Sequence, residues 1–137
     1  MPIFDRMNLA KVGNWLMDAE HRQLVVLMNE VESAIASGED EVAIRARFDK
    51  LMAGAAMHFS HEDDSIRRSG CPDGERHIEQ HRALLQALAA YAGDSAQEPN
   101  RRIRAGDAVR FLEDWLIAHI KAADVPLAGH LQSKGMS

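Results

Sequence analysis

The sequence predicts an all-α protein, an antiparallel up-down-up-down four-helix bundle with an N-terminal arm and a short C-terminal extension. Three observations carry this. Four stretches repeat apolar residues at helical spacing, none sustains a strand-like alternation, and the connections are short and rich in Gly, Pro and Asp. Helices of comparable length joined in this way pack most simply as antiparallel neighbours. At 137 residues, the chain has room for one such domain, spanning 1–137.

The first helix is expected from about Ala19 to Ser37, with Asp18 as N-cap, the stripe Leu24, Leu27, Met28, Val31 and Ile35, and Gly38 as stop. The 17 residues before Asp18 form the arm. The second helix begins after Asp40 and carries Ile44, Phe48, Leu51, Met52, Ala55, Phe59 and Ile66, ending by Ser69-Gly70-Cys71-Pro72. The third opens near Pro72 to Gly74 and carries Ile78, Leu84, Leu85, Leu88 and Tyr91 until Gly93-Asp94-Ser95. After a polar linker with Pro99, the fourth carries Ile103, Ala108, Phe111, Leu112, Trp115 and Leu116. It fades near Lys121, ahead of Pro126, beyond which one further helical turn fits.

Composition narrows the function classes. With 46% hydrophobic and 27% charged residues the chain is ordinary globular material. Its 16 basic against 21 acidic side chains give a net charge of −5, and no basic cluster beyond Arg101, Arg102 and Arg104 argues for nucleic acid. The longest apolar run, Leu24 to Met28, falls far short of a membrane span, and the N-terminus lacks a signal-peptide pattern. A cytoplasmic address is the expectation, and the single cysteine, Cys71, agrees with it.

Seven histidines are the unusual count. Continuing the second helix's stripe by threes and fours leads to His58 and then Glu62. On the third helix, stepping back from Leu88 through Leu84 leads to His81 and His77, four apart and on one face. The fourth helix leads from Trp115 to His119, and the first runs back from Leu24 to His21. Burying so many polar groups without partners costs on the order of 1–3 kcal/mol each, and a metal removes that cost. Imidazole nitrogen with carboxylate oxygen suits iron, zinc or manganese, and six or more inward ligands fit two ions better than one. The Glu-x-x-His pairs of carboxylate-rich ferritin-like centres are absent. A shell rich in neutral nitrogen favours the reduced metal, and with it reversible ligand binding over oxidation chemistry. Asp124 offers a second bridging carboxylate. It follows His119 by five residues, about 140 degrees on an ideal helix, so the helix must distort or end between them, and the fading pattern supplies an end.

Taken together, Val12-Gly13, Met17-Asp18-Ala19-Glu20-His21-Arg22-Gln23-Leu24 with Asn29, His58-Phe59-Ser60-His61-Glu62-Asp63, His77-Ile78-Glu79-Gln80-His81, and Trp115-Leu116-Ile117-Ala118-His119-Ile120 with Asp124 resemble the hemerythrins, specifically the single-domain bacterial members. The resemblance implies two iron ions joined by a hydroxo or oxo group. One is held by His77, His81 and His119, the other by His21 and His58, with Glu62 and Asp124 bridging. The iron with two histidines keeps an open position for dioxygen. Leu24, Phe59, Trp115, Leu116 and Ile120 would line a dry pocket beside it.

His61 is expected on the flank of the second helix, His130 on the surface, Cys71 in an indifferent turn position, and Asp63 and Asp64 as solvated charges. The methionines read as core filling. The expected function is dioxygen binding for storage, delivery or sensing, not enzymatic turnover. The rival class is a di-iron enzyme acting on peroxide, nitric oxide or dioxygen; oxygen-dependent docking on a protein partner is a third.

Overall fold

A computed structural model describes residues 11–92 and 104–136. The first ten residues of the arm, the Gly93-Asp94-Ser95 break, Pro99, Ile103 and the Arg101-Arg102 pair lie outside the described residues. Every regular element among those described is helical: α1 (Trp15–Ala36), α2 (Glu41–Ser69), α3 (Gly74–Ala90), α4 (Ala105–His119), a π-helical turn over Ile120–Asp124, and α5 (Val125–Ser133).

Helix α1 starts four residues before the predicted Ala19, and its cap is Asn14, not Asp18. The Asn14 side-chain oxygen accepts from the Met17 N–H at 3.0 Å. Asp18 instead accepts from the Val12 and Gly13 N–H groups at 2.7 and 3.1 Å, tying the incoming chain to the first turn. Cap chemistry set this boundary, and the apolar stripe concealed it, because Trp15 and Leu16 in the added turn stay exposed. At α2 the expected boundaries hold: Asp40 accepts from Ala43 N–H at 2.9 Å, and Gly70 closes the helix at φ 63°, a left-handed conformation suited to glycine. Gly74 opens α3 hard against α2. A Cβ there would sit 2.5 Å from Ile66 Cγ2, so a larger residue would push the two helices apart.

Helices α1 and α2 pack along each other, α3 packs on α2, α1 also meets α4, and α5 returns onto α2. The four main helices make the up-down-up-down bundle with two apolar layers. The larger holds Leu24, Met28, Phe48, Leu51, Leu84, Leu88, Leu112 and Leu116. The smaller holds Met17, Ile66, Ile78, Leu127, Ala128 and Leu131. In α1, α2 and α3, and along the run from α4 through the π turn into α5, the switch from one layer to the other crosses the inward polar residues, so a polar stratum lies between two greasy ones.

The fourth helix does not end after His119, as its fading pattern suggested. It widens. Across Ile120–Asp124 the bonding slips to i→i+5, with Val125 N–H donating to Ile120 O, and the chain then continues into α5 with Pro126 in its first turn. Proline lacks the N–H that an uninterrupted helix would need at that place, and a first turn tolerates it. No helix among the described residues is long and apolar enough to cross a membrane.

Candidate metal centre

Five helical segments deliver seven side chains to the polar stratum: His21 from α1, His58 and Glu62 one turn apart on α2, His77 and His81 one turn apart on α3, His119 from the end of α4, and Asp124 from the π turn. All seven are buried, with Asp124 at 0% exposure and none above 6%. The structure thus brings together every residue that the sequence assigned to the centre. They form two groups, Glu62-His77-His81-His119-Asp124 and His21-His58-Glu62-Asp124, in each of which the donor atoms lie within 4.8 Å of one another.

The two carboxylates belong to both groups, and each divides its oxygens between them. Glu62 Oε1 lies 3.1 Å from His81 Nε2 and 3.5 Å from His77 Nε2. Its Oε2 lies 2.7 Å from His58 Nε2 and 3.7 Å from His21 Nε2. Asp124 repeats the division, with Oδ1 3.1 Å from His77 and His119 Nε2 and Oδ2 3.2 Å from His21 Nε2. The π turn makes this reach available, since a strict α-helix would aim Asp124 away from the face of His119.

Several observations test whether this constellation fits metal. Both Glu62 oxygens, Asp124 Oδ2 and His58 Nε2 are buried without a hydrogen-bond partner of acceptable geometry, and such orphans are costly in a protein interior. His77 Nε2 and His81 Nε2 face His119 Nε2 at 3.1 and 3.2 Å; lone pairs crowded so closely need a cation or a proton among them. Three imidazoles with two carboxylate oxygens on one side, and two with two on the other, make a donor set suited to a pair of first-row divalent ions.

Without metal, protons take that role. Burial alone would lower His58, but Glu20 and Glu62 outweigh it and hold it at about 9; at His77 burial is likewise overcome, by Asp124 and Glu62, again to about 9. Burial opposes ionisation of Glu62 and Asp124, yet the surrounding histidines keep both below the usual carboxylate range. The raised histidines stabilise the metal-free fold fully below the unfolded value of 6.5 and lose that contribution as pH climbs through about 9. The lowered carboxylates contribute above their ordinary range and fail as pH falls through their depressed values. Metal-free protein is therefore expected to lose thermal stability from pH 6.5 to 9, while protein loaded with ferrous iron or zinc, whose ligands must shed protons, gains relative to it across that interval. Melting curves at both pH values, with and without metal, check the crossing.

Aromatic rings flank the cluster. Phe59 stacks on His81 (centroids 4.3 Å apart) and leans on His58 at 5.3 Å. Trp115 stacks on His119 at 4.2 Å and meets Phe59 edge-on at 5.8 Å. The sequence reading set both rings beside the two-histidine end. Their stacking is instead on histidines of the other group, because Trp115 precedes His119 by one helical turn on the same face. Leu24, Leu116 and Ile120 are buried in the adjoining apolar layer. On the opposite flank a surface cleft of about 310 Å³, bordered by Arg76, Gln80, Ala122 and Ala123, reaches the edge of His77.

Two carboxylates were missed. Asp63, expected to be solvated, is half-buried and accepts from His81 Nδ1 at 2.7 Å. Glu20 accepts from His58 Nδ1 at 2.9 Å and also pairs with His61 Nδ1. Their only sequence signal is adjacency to a ligand, His21 or Glu62. His61 sits on the helix flank as expected, half exposed. His130 departs from expectation: half-buried, its Nε2 donates to the Ser69 carbonyl at 2.9 Å and fastens α5 to the end of α2.

Comparison with known proteins agrees with this geometry. A family model described as the hemerythrin HHE cation binding domain matches residues 12–127. A bacteriohemerythrin from Methylococcus capsulatus is 28% identical over 112 residues, 78% of this chain and 79% of the relative. Hemerythrin-like proteins from Naegleria gruberi and Naegleria fowleri are each 26% identical over 121 residues, 88% of this chain and 87% of theirs. No solved structure matches significantly.

Proposed function

The chain belongs to the hemerythrin family of HHE cation binding domains, and from that premise we propose that it binds dioxygen reversibly at a pair of iron ions, as a carrier, store or sensor rather than as an enzyme. The observation that carries this reading is the division of the Glu62 and Asp124 oxygens between two histidine groups, an arrangement that a single ion would not use. His77, His81 and His119 would hold one ion and His21 and His58 the other, with the two carboxylates and a hydroxo or oxo group spanning them. A ferrous pair supplies the electrons that dioxygen draws on when it is held.

The remaining roles fall to the protein. With one imidazole fewer, the His21–His58 end leaves room for the gas. Carboxylates on Nδ1 of His58 and His81 hold the ring proton on that nitrogen and aim Nε2 inward. The apolar layer of Leu24, Phe59, Leu116 and Ile120 limits water, which favours reversible binding. The unpaired thiol of Cys71 and the charge balance support a reducing, cytoplasmic setting without nucleic acid as partner.

Anaerobic loading with ferrous iron followed by exposure to air tests the reading. Two irons per chain and a charge-transfer absorption that appears in air and disappears on deoxygenation are expected. One iron per chain, or sustained consumption of oxygen, peroxide or nitric oxide over many turnovers, would replace it with the enzyme reading.

A further inference from the structure

Glu20 lies outside the seven residues of the centre, yet it touches the centre and the surface at once. On α1 it precedes His21, so it points about 100 degrees away from that ligand, into the seam between α1 and α2. There His58 and His61, three apart on α2, present their Nδ1 atoms to it. One oxygen, Oε1, stands 2.9 Å from Nδ1 of His58, and the other, Oε2, is in close contact with Nδ1 of His61. The rings differ in setting: His58 is buried at 1% exposure, whereas the His61 side chain is 49% exposed and Glu20 is 19% exposed. A single carboxylate is therefore shared between a candidate metal ligand and a histidine in water. At the other end of the cluster Asp63 supports His81 alone, through one oxygen at 2.7 Å.

We propose that Glu20 is a positioning residue specific to the two-histidine end, and that His61, by holding the second oxygen, tempers the support that His58 receives. The inference rests on the paired-metal reading above. For His58 to offer a lone pair from Nε2, which faces Glu62 at 2.7 Å, its proton must sit on Nδ1, and an acceptor fixed at Nδ1 selects that tautomer and makes the ring a stronger donor. The end it serves has two imidazoles, so weakening one of them removes a larger share of its nitrogen donation than weakening one of three at the Asp63 end. Each end thus has its own carboxylate, and the two can be adjusted separately.

The test is a titration of the full-length, metal-free protein with ferrous iron under nitrogen, followed by calorimetry and by iron content after gel filtration. Wild type should take up two ions. In Glu20→Gln, which keeps the size and removes the charge, one of the two steps should weaken about 10- to 100-fold, the usual effect of losing such a partner, with the other step unchanged. Glu20→Asp, too short to span both rings, should fall between them. His61→Ala should retain both ions with neither step weakened, since it leaves the carboxylate to His58. Circular dichroism confirms that each variant is folded. If Glu20 served only to fasten α1 to α2, Glu20→Gln and His61→Ala would lower the melting temperature alike and leave both steps intact, which would overturn the proposal; so would equal weakening of both steps. Failure of wild type to bind two ions would instead overturn the paired-metal reading itself.

Discussion

Glu62→Ala yields a folded helical protein that no longer takes up metal in pairs, with iron content falling from two per chain to one or fewer. Glu62 is the residue whose loss touches most of the centre: its two oxygens approach four histidines, at 2.7 to 3.7 Å. Without it, His77, His81, His119 and Asp124 Oδ1 still make a plausible set for one ion, but His21 and His58 keep only Asp124 Oδ2. Substituting a buried charge also leaves its partners exposed to one another, and breaking such a pair by removing one side costs about 3–5 kcal/mol. Here the imidazoles can release their protons, so a smaller loss is expected. His77→Ala should likewise abolish pairing, as it removes a nitrogen that reaches both Glu62 and Asp124. Elemental analysis after anaerobic loading, with His61→Ala as the comparison, checks this. Equal loss in all three variants would contradict the assignment.

Trp115→Ala should keep two irons and oxidise irreversibly much faster in air. The indole lies flat against the His119 ring at 4.2 Å and braces Phe59, which in turn covers His81. Since Trp115 is only partly buried, it stands between the outer water and a ligand ring. Removing it opens a passage to the three-histidine end without taking away a donor atom. A drop of ~1.4 kcal/mol in the barrier corresponds to about tenfold in rate, and at least that acceleration is expected. The decay of the oxygenated absorption in air measures it, and unchanged decay would show that the indole does not guard the centre.

Six of the seven inward residues were legible because each falls on its own helix's apolar stripe, and a helical face is a local property of sequence; Asp124 was legible only as a second carboxylate close to His119 in the chain. The π turn was legible only as a contradiction: His119 and Asp124 could not share a face at ideal pitch, and the fading pattern pointed to a stop where the chain in fact winds wider. What local pattern could not reveal was contact across helices. Glu20 and Asp63 look like any other acidic side chain on a polar flank; their meeting with His58 and His81 depends on how α1, α2 and α3 are rotated and staggered. The tie between His130 and the Ser69 carbonyl was hidden for the same reason. The Asn14 cap was missed because the turn it opens shows Trp15 and Leu16 to solvent.

The loosened winding at Ile120–Asp124 sets how many acids the buried histidines share. Rewinding the same five residues at regular pitch would carry the acid about 140 degrees from the face of His119 and out of the interior, leaving Glu62 as the one carboxylate common to the two histidine groups. One widened turn of backbone thus decides whether the two histidine groups are joined by a pair of acids or by a single one.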